Sequence, residues 1–222
     1  MIDVDAGGTD ARARRRTWML GGGLLAASAL LNLWVASAPG APVGIVPDLF
    51  FAAGAIVFAI GLGPSGSVTA RRPLGTGVLV GLGVWLLVQQ MIHGLLMPPD
   101  PMADMVDWEA RVRLAGMVVV TLEVVSLVLA ILAVVQIGRS GVVPAPWNWA
   151  PLWALAVVVA TRLLAMGLLA VPVLTDSPDV LNAVISLAAF IGICAVGALG
   201  VLAMVLAARP VAGSTSVYSS GE

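Results

Sequence analysis

The chain has 222 residues, of which 60% are hydrophobic and only 10% are charged, and its mean hydropathy is +1.05. Soluble domains carry about 25% charged residues, so this composition excludes a water-soluble globular protein and indicates one that is embedded in lipid. The formal net charge is −1, every basic residue is Arg, and there is one Cys and one His. These counts exclude a disulfide framework, a cysteine-rich metal site, a haem with two histidine ligands from this chain and a lysine Schiff base.

Six apolar runs follow one another along the chain and predict an all-α, polytopic bundle of six transmembrane helices. A helix needs about 20 residues to cross a bilayer core of about 30 Å, and the second run is at the short end of the usual range. The predicted spans are residues 17–37, 47–63, 74–97, 113–138, 149–174 and 179–208. Residues 1–16 and 209–222 are predicted to be disordered tails, because they contain few apolar side chains to bury.

The distribution of arginine favours an orientation with both chain termini in the cytoplasm, because cytoplasmic segments of membrane proteins carry the excess of basic residues. In that orientation eight arginines are cytoplasmic, namely Arg12, Arg14, Arg15, Arg16, Arg71, Arg72, Arg139 and Arg209, against two outside, Arg111 and Arg113. Tryptophans then fall at both membrane interfaces, as Trp18, Trp147, Trp149 and Trp153 on the inner side and Trp34 and Trp108 on the outer side. We therefore expect a multi-pass protein of the plasma (inner) membrane. The start of the fourth helix is expected within residues 107–111.

The first span has an alternative interpretation as a cleaved signal peptide. Basic residues 12–16 precede an apolar stretch, and Ala36-Ser37-Ala38 has the small residues of a cleavage site. Pro39 directly after the candidate cut and the length of the apolar stretch favour a retained span. Both alternatives remain at this stage.

Small residues at helical spacing mark the faces where we expect the helices to pack, because close backbone approach drives helix association in lipid. Such faces carry Gly77 and Gly81 in the third span and Gly197 and Gly200 in the sixth. Two further stripes combine small and polar residues, one with Gly21, Ser28 and Asn32, the other with Gly116, Glu123, Ser126 and Ala130. All four faces are expected to point into the bundle.

Two ionisable residues lie deep in the predicted membrane region. Glu123 is ten residues beyond Arg113, which places it about 15 Å into a core of about 30 Å. Arg162 has a similar depth in the next span, as judged from its distance to Trp153. A charge at that depth is costly and usually functional or paired, so we predict a Glu123–Arg162 ion pair that either fixes helix register or forms part of a binding site.

A second group of polar residues lies nearer the outer side. Trp85, Gln89, His93 and Met97 follow one another at intervals of four residues and share one face of the third span. Gln90, Asn32, Asn182 and Asp48 lie in the outer parts of their spans. Together with Glu123 and Arg162 they predict a polar pocket in the outer half of the bilayer, suited to a small zwitterion or an organic anion. In the alternative interpretation each amide bonds a neighbouring helix.

The sequence lacks the motifs of several chemistries. It has no phosphate-binding loop, no HExxH zinc motif and no nucleophile elbow, and it has no basic face for nucleic acid. Met91, Met97, Met102 and Met105 surround His93, a weak copper(I) pattern, since methionine is a routine apolar residue. We therefore expect no cofactor and no metal.

Three functions remain open. The first is a small transport or substrate-capture protein that binds a small molecule near Glu123, Arg162, Gln89 and His93. The second is an accessory or scaffold subunit, with a partner membrane subunit or a second copy. The third is a lipid or isoprenoid enzyme with Glu123 as the acid, which a paired Arg would disfavour by keeping the carboxylate ionised.

Overall fold

The computed structural model describes residues 4–37, 44–63, 66–96, 108–169 and 177–209. Within these ranges the chain is all-helical and contains no strand. The helices are α1 (Val4–Ser37), α2 (Val46–Ile60), α3 (Pro73–Leu96), α4 (Trp108–Ser140), α5 (Ala150–Leu169) and α6 (Pro178–Ala208), with a 3₁₀ turn at Trp147–Trp149 before α5. Five of them, all except α2, are long and apolar enough to cross a membrane. The 15 residues of α2 span about 22 Å.

Helix α1 begins much earlier than its predicted span. It starts at Val4, so residues 4–16, which we predicted as part of a disordered tail, are helical. Alanine and arginine are strong helix formers, and tertiary contacts hold the segment in place. The guanidinium group of Arg14 lies 5.1 Å from the ring centroid of Trp18, and its Nη2 donates a 2.9 Å hydrogen bond to the carbonyl oxygen of Val142.

The other boundaries lie close to the predictions. Helix α4 begins at Trp108, which confirms the expected start of that helix. Helix α5 is described to Leu169, and the remainder of the predicted fifth span, residues 170–174, lies outside the described residues. So do residue 97 and the predicted C-terminal tail beyond Arg209.

The six helices form a ring in which each neighbouring pair runs antiparallel. Helix α1 packs against α2 and α6, α2 against α3, α3 against α4, and α5 against α6. The α4–α5 seam, which would close the ring, is the smallest of these interfaces. We call the end of the bundle where α1 begins and α6 ends the terminal end, and the opposite end the distal end.

Glycines set the distance between α1 and α6. A Cβ on Gly22 would lie 2.6 Å from the carbonyl oxygen of Gly200, so the two backbones touch. Gly197 also packs towards α1, against Ala29, as predicted. The prediction for Gly77 and Gly81 is wrong, because a Cβ on either would meet nothing within 4 Å. Helix α3 uses a different face for its neighbours, so these two glycines point away from the bundle.

The segment between α2 and α3 folds back onto the terminal end of the ring. The hydroxyl of Ser67, a buried residue, donates a 2.6 Å hydrogen bond to the carbonyl oxygen of Ala59 and lies 3.0 Å from the hydroxyl of Thr69. The hydroxyl of Thr17 accepts a 2.9 Å hydrogen bond from the backbone N–H of Leu62. These buried hydroxyls satisfy the backbone groups that the turn leaves without helical partners.

We expect Ser67→Ala to lower the free energy of unfolding by about 1–3 kcal/mol, because it removes the partner of several buried polar groups. Thr161→Ala is the matched control, since the hydroxyl of Thr161 bonds the carbonyl oxygen of Val157, one turn earlier in its own helix. Unfolding of both variants in mixed micelles of increasing SDS content measures the difference. Equal stability of the two variants would contradict a structural role for the Ser67 hydroxyl.

Candidate functional site: a polar layer above an apolar cavity

The ring of helices surrounds an apolar cavity of about 320 Å³. Every helix contributes to its wall, as illustrated by Leu25, Ala55, Leu82, Ala130, Leu155 and Leu199, one from each helix in chain order. Trp18 and Trp147 line it as well. Its volume lies in the range of about 300–1,000 Å³ that is usual for ligand pockets.

Five polar residues lie on the cavity face of their helices, two helical turns from a residue of the cavity wall. Seven residues amount to nearly two full turns of a helix, or about 10 Å along its axis. Two residues separated by seven positions therefore lie on the same face of the helix. The pairs are Leu25 with Asn32, Ala55 with Asp48, Leu82 with Gln89, Ala130 with Glu123, and Leu155 with Arg162. Since successive helices are antiparallel, the polar residue of every pair lies on the distal side of its cavity-wall residue. We call Asn32, Asp48, Gln89, Glu123 and Arg162 the polar layer.

A hydrogen-bonded network joins two of these residues across the α3–α4 interface. The indole N–H of Trp85 lies 3.0 Å from the hydroxyl oxygen of Ser126, which accepts from it. That hydroxyl lies 2.8 Å from Oε1 of Gln89, to which it donates. Nε2 of Gln89 donates in turn to Oε1 of Glu123 over 3.5 Å. The network therefore fixes the orientation of the Gln89 amide and directs an N–H group at the carboxylate.

Exposure differs sharply within this network. Gln89 is buried, with 7% of its surface exposed, whereas Glu123 is exposed. One carboxylate oxygen is held by the amide while the side chain faces open space. Glu123 is thus positioned as an acceptor with free capacity for hydrogen bonding.

The predicted Glu123–Arg162 ion pair does not form in the part of the chain that the structure describes. Arg162 is exposed, and its helix packs chiefly on α6 rather than on α4. Helix α4 meets the segment before α5 near the terminal end, where Gly138 packs against the ring of Trp149. Helices α4 and α5 follow one another in sequence but make little contact with each other, so the two opposite charges remain separate.

The other predicted site residues lie around this centre without joining the network. The side-chain amide of Asn32 donates to the carbonyl oxygen of Ser28 in its own helix at 3.2 Å. Gln90 points towards the start of α2, where its Nε2 would be 3.8 Å from a Cβ on Gly44. Asp48 is half-buried in the first turn of α2, and Asn182 is exposed near the start of α6.

Two nitrogen atoms are buried without a hydrogen-bond partner among the described residues, Nε2 of His93 and Nε1 of Trp18. His93 lies one turn beyond Gln89 on the same face of α3, as predicted. Of the methionines in the weak copper pattern, Met91 is exposed and Met97, Met102 and Met105 lie outside the described residues. Within the described ranges no three His, Cys, Asp or Glu residues come together as a metal site.

Sequence reasoning missed the apolar cavity. Its wall is made by ordinary apolar side chains on faces that the hydropathy pattern does not distinguish from lipid-facing ones. The sequence places Ser126 in a stripe with Glu123, and its role as the link to Trp85 and Gln89 appears only in the structure.

Comparison with protein families, with curated proteins and with solved structures finds no match to this chain. The functional argument therefore rests on the geometry of the polar layer and the cavity.

Proposed function

We propose that this protein binds a small polar or charged molecule in the polar layer, as a transporter or as the substrate-capture subunit of one. The feature that carries the proposal is the spacing of five polar residues, on five helices, each seven residues from a residue of the cavity wall on the same helix face and towards the same end of the bundle. A protein that used these side chains for packing alone would be expected to pair Glu123 with a cation. Here Glu123 accepts from Gln89 and remains exposed.

The proposal includes six spans, with α2 as the second. Helix α2 is about 22 Å long, shorter than a bilayer core of about 30 Å. It is held between α1 and α3, and many of its residues are buried against them. Because α2 is surrounded largely by protein, its length need not match the thickness of the lipid core. The folded segment that follows α2 also extends the structure at the terminal end.

The proposed orientation places the terminal end in the cytoplasm and the polar layer in the outer half of the plasma membrane. Arginines at positions 12, 14, 15, 16, 71, 72, 139 and 209 belong to the terminal end, which supports this orientation. A charge in hydrocarbon costs about 2.5–3.5 kcal/mol on insertion scales. Exposed Glu123 and Arg162 are therefore best accommodated in a water-filled vestibule that opens to the outside.

Native mass spectrometry of the purified protein tests this site. The wild type should carry a small-molecule adduct that is lost in Glu123→Gln and in Arg162→Gln. Asp179→Asn and Arg139→Gln are the matched controls, because they make the same chemical changes at exposed positions near the distal and terminal ends. An adduct that survives both polar-layer substitutions, or no adduct on the wild type after extraction into mild detergent, would count against the proposed site.

An accessory subunit is the second candidate, and one observation favours it. Gly77 and Gly81 form an open small-residue face on α3, which suits close approach of a helix from a partner or from a second copy. In this case Gly77→Leu should dissociate an oligomer or complex that Gly192→Leu leaves intact, since Gly192 also has open space. A monodisperse monomer that is stable in detergent would argue against this function.

A further inference from the structure

The cavity and the polar layer differ completely in chemistry although they share the same helix faces. The wall of the cavity is formed by aliphatic and aromatic side chains, whereas two turns away the same faces carry amides, carboxylates and a guanidinium group. A small hydrophilic molecule would contact only the polar layer. A molecule that contacts both regions must be polar at one end and apolar at the other.

The cavity and the polar layer together extend along the helix axis. On α1 the residues Trp18, Leu25 and Asn32 succeed one another at intervals of seven, and both Trp18 and Leu25 line the cavity. The fourteen residues from Asn32 to Trp18 correspond to about 21 Å along the helix axis. About 10 Å of this is cavity wall between Leu25 and Trp18 and the remainder leads to the polar layer, so the whole length suits a molecule with an acyl chain at one end and a head group at the other.

The α4–α5 seam offers such a molecule a route from the bilayer. It is the smallest helix interface of the ring, and both of its helices line the cavity, α4 with Ala130 and Ala133 and α5 with Leu155. Glu123 and Arg162 belong to the two helices that border this seam, and each is seven residues distal to a residue of the cavity wall. Each is exposed, and the two form no ion pair with each other.

We infer that the ligand of this site is a single-chain zwitterionic amphiphile, whose chain occupies the apolar cavity and whose head group lies in the polar layer. The inference rests on the proposed function and names its substrate class. A head group with one positive and one negative charge pairs the Glu123 carboxylate and the Arg162 guanidinium at once. The chain points towards Trp18 at the terminal end.

Photo-crosslinking tests the position of the chain directly. The probe is a lysophosphatidylcholine with a diazirine at the end of its acyl chain, added to the full-length protein in lipid nanodiscs. After irradiation, adducts mapped by peptide mass spectrometry should lie on cavity residues near the terminal end, such as Trp18, Phe58 and Leu206. Unlabelled lysophosphatidylcholine should compete for these adducts, whereas chainless glycerophosphocholine should not.

A pair of alanines provides the matched variants. Ala130→Phe fills the cavity and should reduce the cavity adducts by at least about fivefold, because the added ring overpacks the chain site. Ala156→Phe makes the same change on an exposed face of α5 that does not line the cavity, and should leave the adducts unchanged. Ala154→Phe repeats the cavity test from α5, on the other side of the α4–α5 seam, so that one misfolded variant does not decide the result.

The remaining outcomes separate this inference from the proposed function. Adducts confined to outward-facing residues such as Trp153, or equal labelling of Ala130→Phe and Ala156→Phe, would overturn the amphiphile assignment. If Glu123→Gln still abolished the native adduct in that case, the polar site would stand with a hydrophilic ligand. Equal labelling by a diazirine fatty acid of the same length would overturn the zwitterionic head group while retaining the chain site.

Discussion

In a Cys194→Ala background, the thiol introduced by Glu123→Cys is expected to react rapidly with a membrane-impermeant thiol reagent added from outside the cell. The reason is the exposure of position 123 on the cavity face of α4, in a vestibule that we place in contact with external water. The thiolate is the nucleophile that attacks such reagents, and it forms in water and not in hydrocarbon. Cys194 is the only native cysteine, so its removal leaves a single reactive group.

Thr121→Cys is the matched control for this experiment. Thr121 is also exposed, but it lies two residues away, on the opposite side of α4 from the cavity face. In a bilayer that side faces lipid, so its labelling rate should be at least about tenfold lower than that of Glu123→Cys. The rates are measured in intact cells by gel shift with a maleimide polymer after quenching.

Each result of the labelling experiment has a definite meaning. Fast labelling of position 123 from outside alone would support both the vestibule and the orientation with cytoplasmic termini. Fast labelling only in inverted vesicles would contradict the orientation. Equal, slow labelling of positions 121 and 123 would contradict the vestibule and favour a partner subunit that covers Glu123.

Helix content and the set of polar residues could be predicted from the sequence because both depend on local patterns. Apolar runs of about 20 residues predict membrane helices, and the interval of four residues between Trp85 and Gln89 predicts a shared face. The structure confirms the all-helical architecture and five helices of sufficient length. It also joins Trp85, Gln89 and Glu123 in one network.

Packing between helices could not be predicted in the same way. The expected Glu123–Arg162 pair assumed that consecutive helices pack closely, and depth in the membrane does not determine how closely two neighbouring helices of a ring pack. Sequence spacing likewise does not identify which glycines lie at a helix interface. Gly77 and Gly81 have the spacing of a packing motif yet face open space, whereas Gly22 and Gly200 form the close contact between α1 and α6.

The N-terminal segment illustrates a third limit. Residues 10–16 look like a polar tail because their side chains offer little apolar surface. Their helix is held by Arg14, which stacks on Trp18 and bonds a carbonyl oxygen between α4 and α5. A contact between residues that are 128 positions apart leaves no local signal in the sequence.

Replacing Gly200 by valine is expected to cause a large loss of stability at the α1–α6 interface. A Cβ at this position would lie 2.7 Å from the backbone nitrogen of Ala26 and 2.7 Å from the carbonyl oxygen of Gly22. Backbone atoms cannot move aside as a flexible side chain can. We expect Gly200→Val to lower the free energy of unfolding by about 1–3 kcal/mol, the usual cost of overpacking.

Gly192→Val separates this steric effect from the intrinsic effect of valine in a helix. Gly192 lies in the same helix, and a Cβ there would meet nothing within 4 Å. Both variants carry the same change in helix propensity, so the difference between their SDS unfolding curves measures the clash alone. Equal stability would show that α1 and α6 are farther apart than the glycine contact requires.

The consequences of Gly200→Val should extend to the ligand site. Helix α6 is the main partner of α5, so a displacement of α6 from α1 carries α5 and Arg162 with it. The α3–α4 network lies on the other side of the ring and does not depend on that interface. The variant should therefore weaken ligand binding while the Trp85 indole keeps its hydrogen bond to Ser126. The state of that bond is measured by the fluorescence maximum of a protein in which Trp85 is the only tryptophan. A red shift of that maximum in Gly200→Val would show instead that the ring unfolds as a single unit.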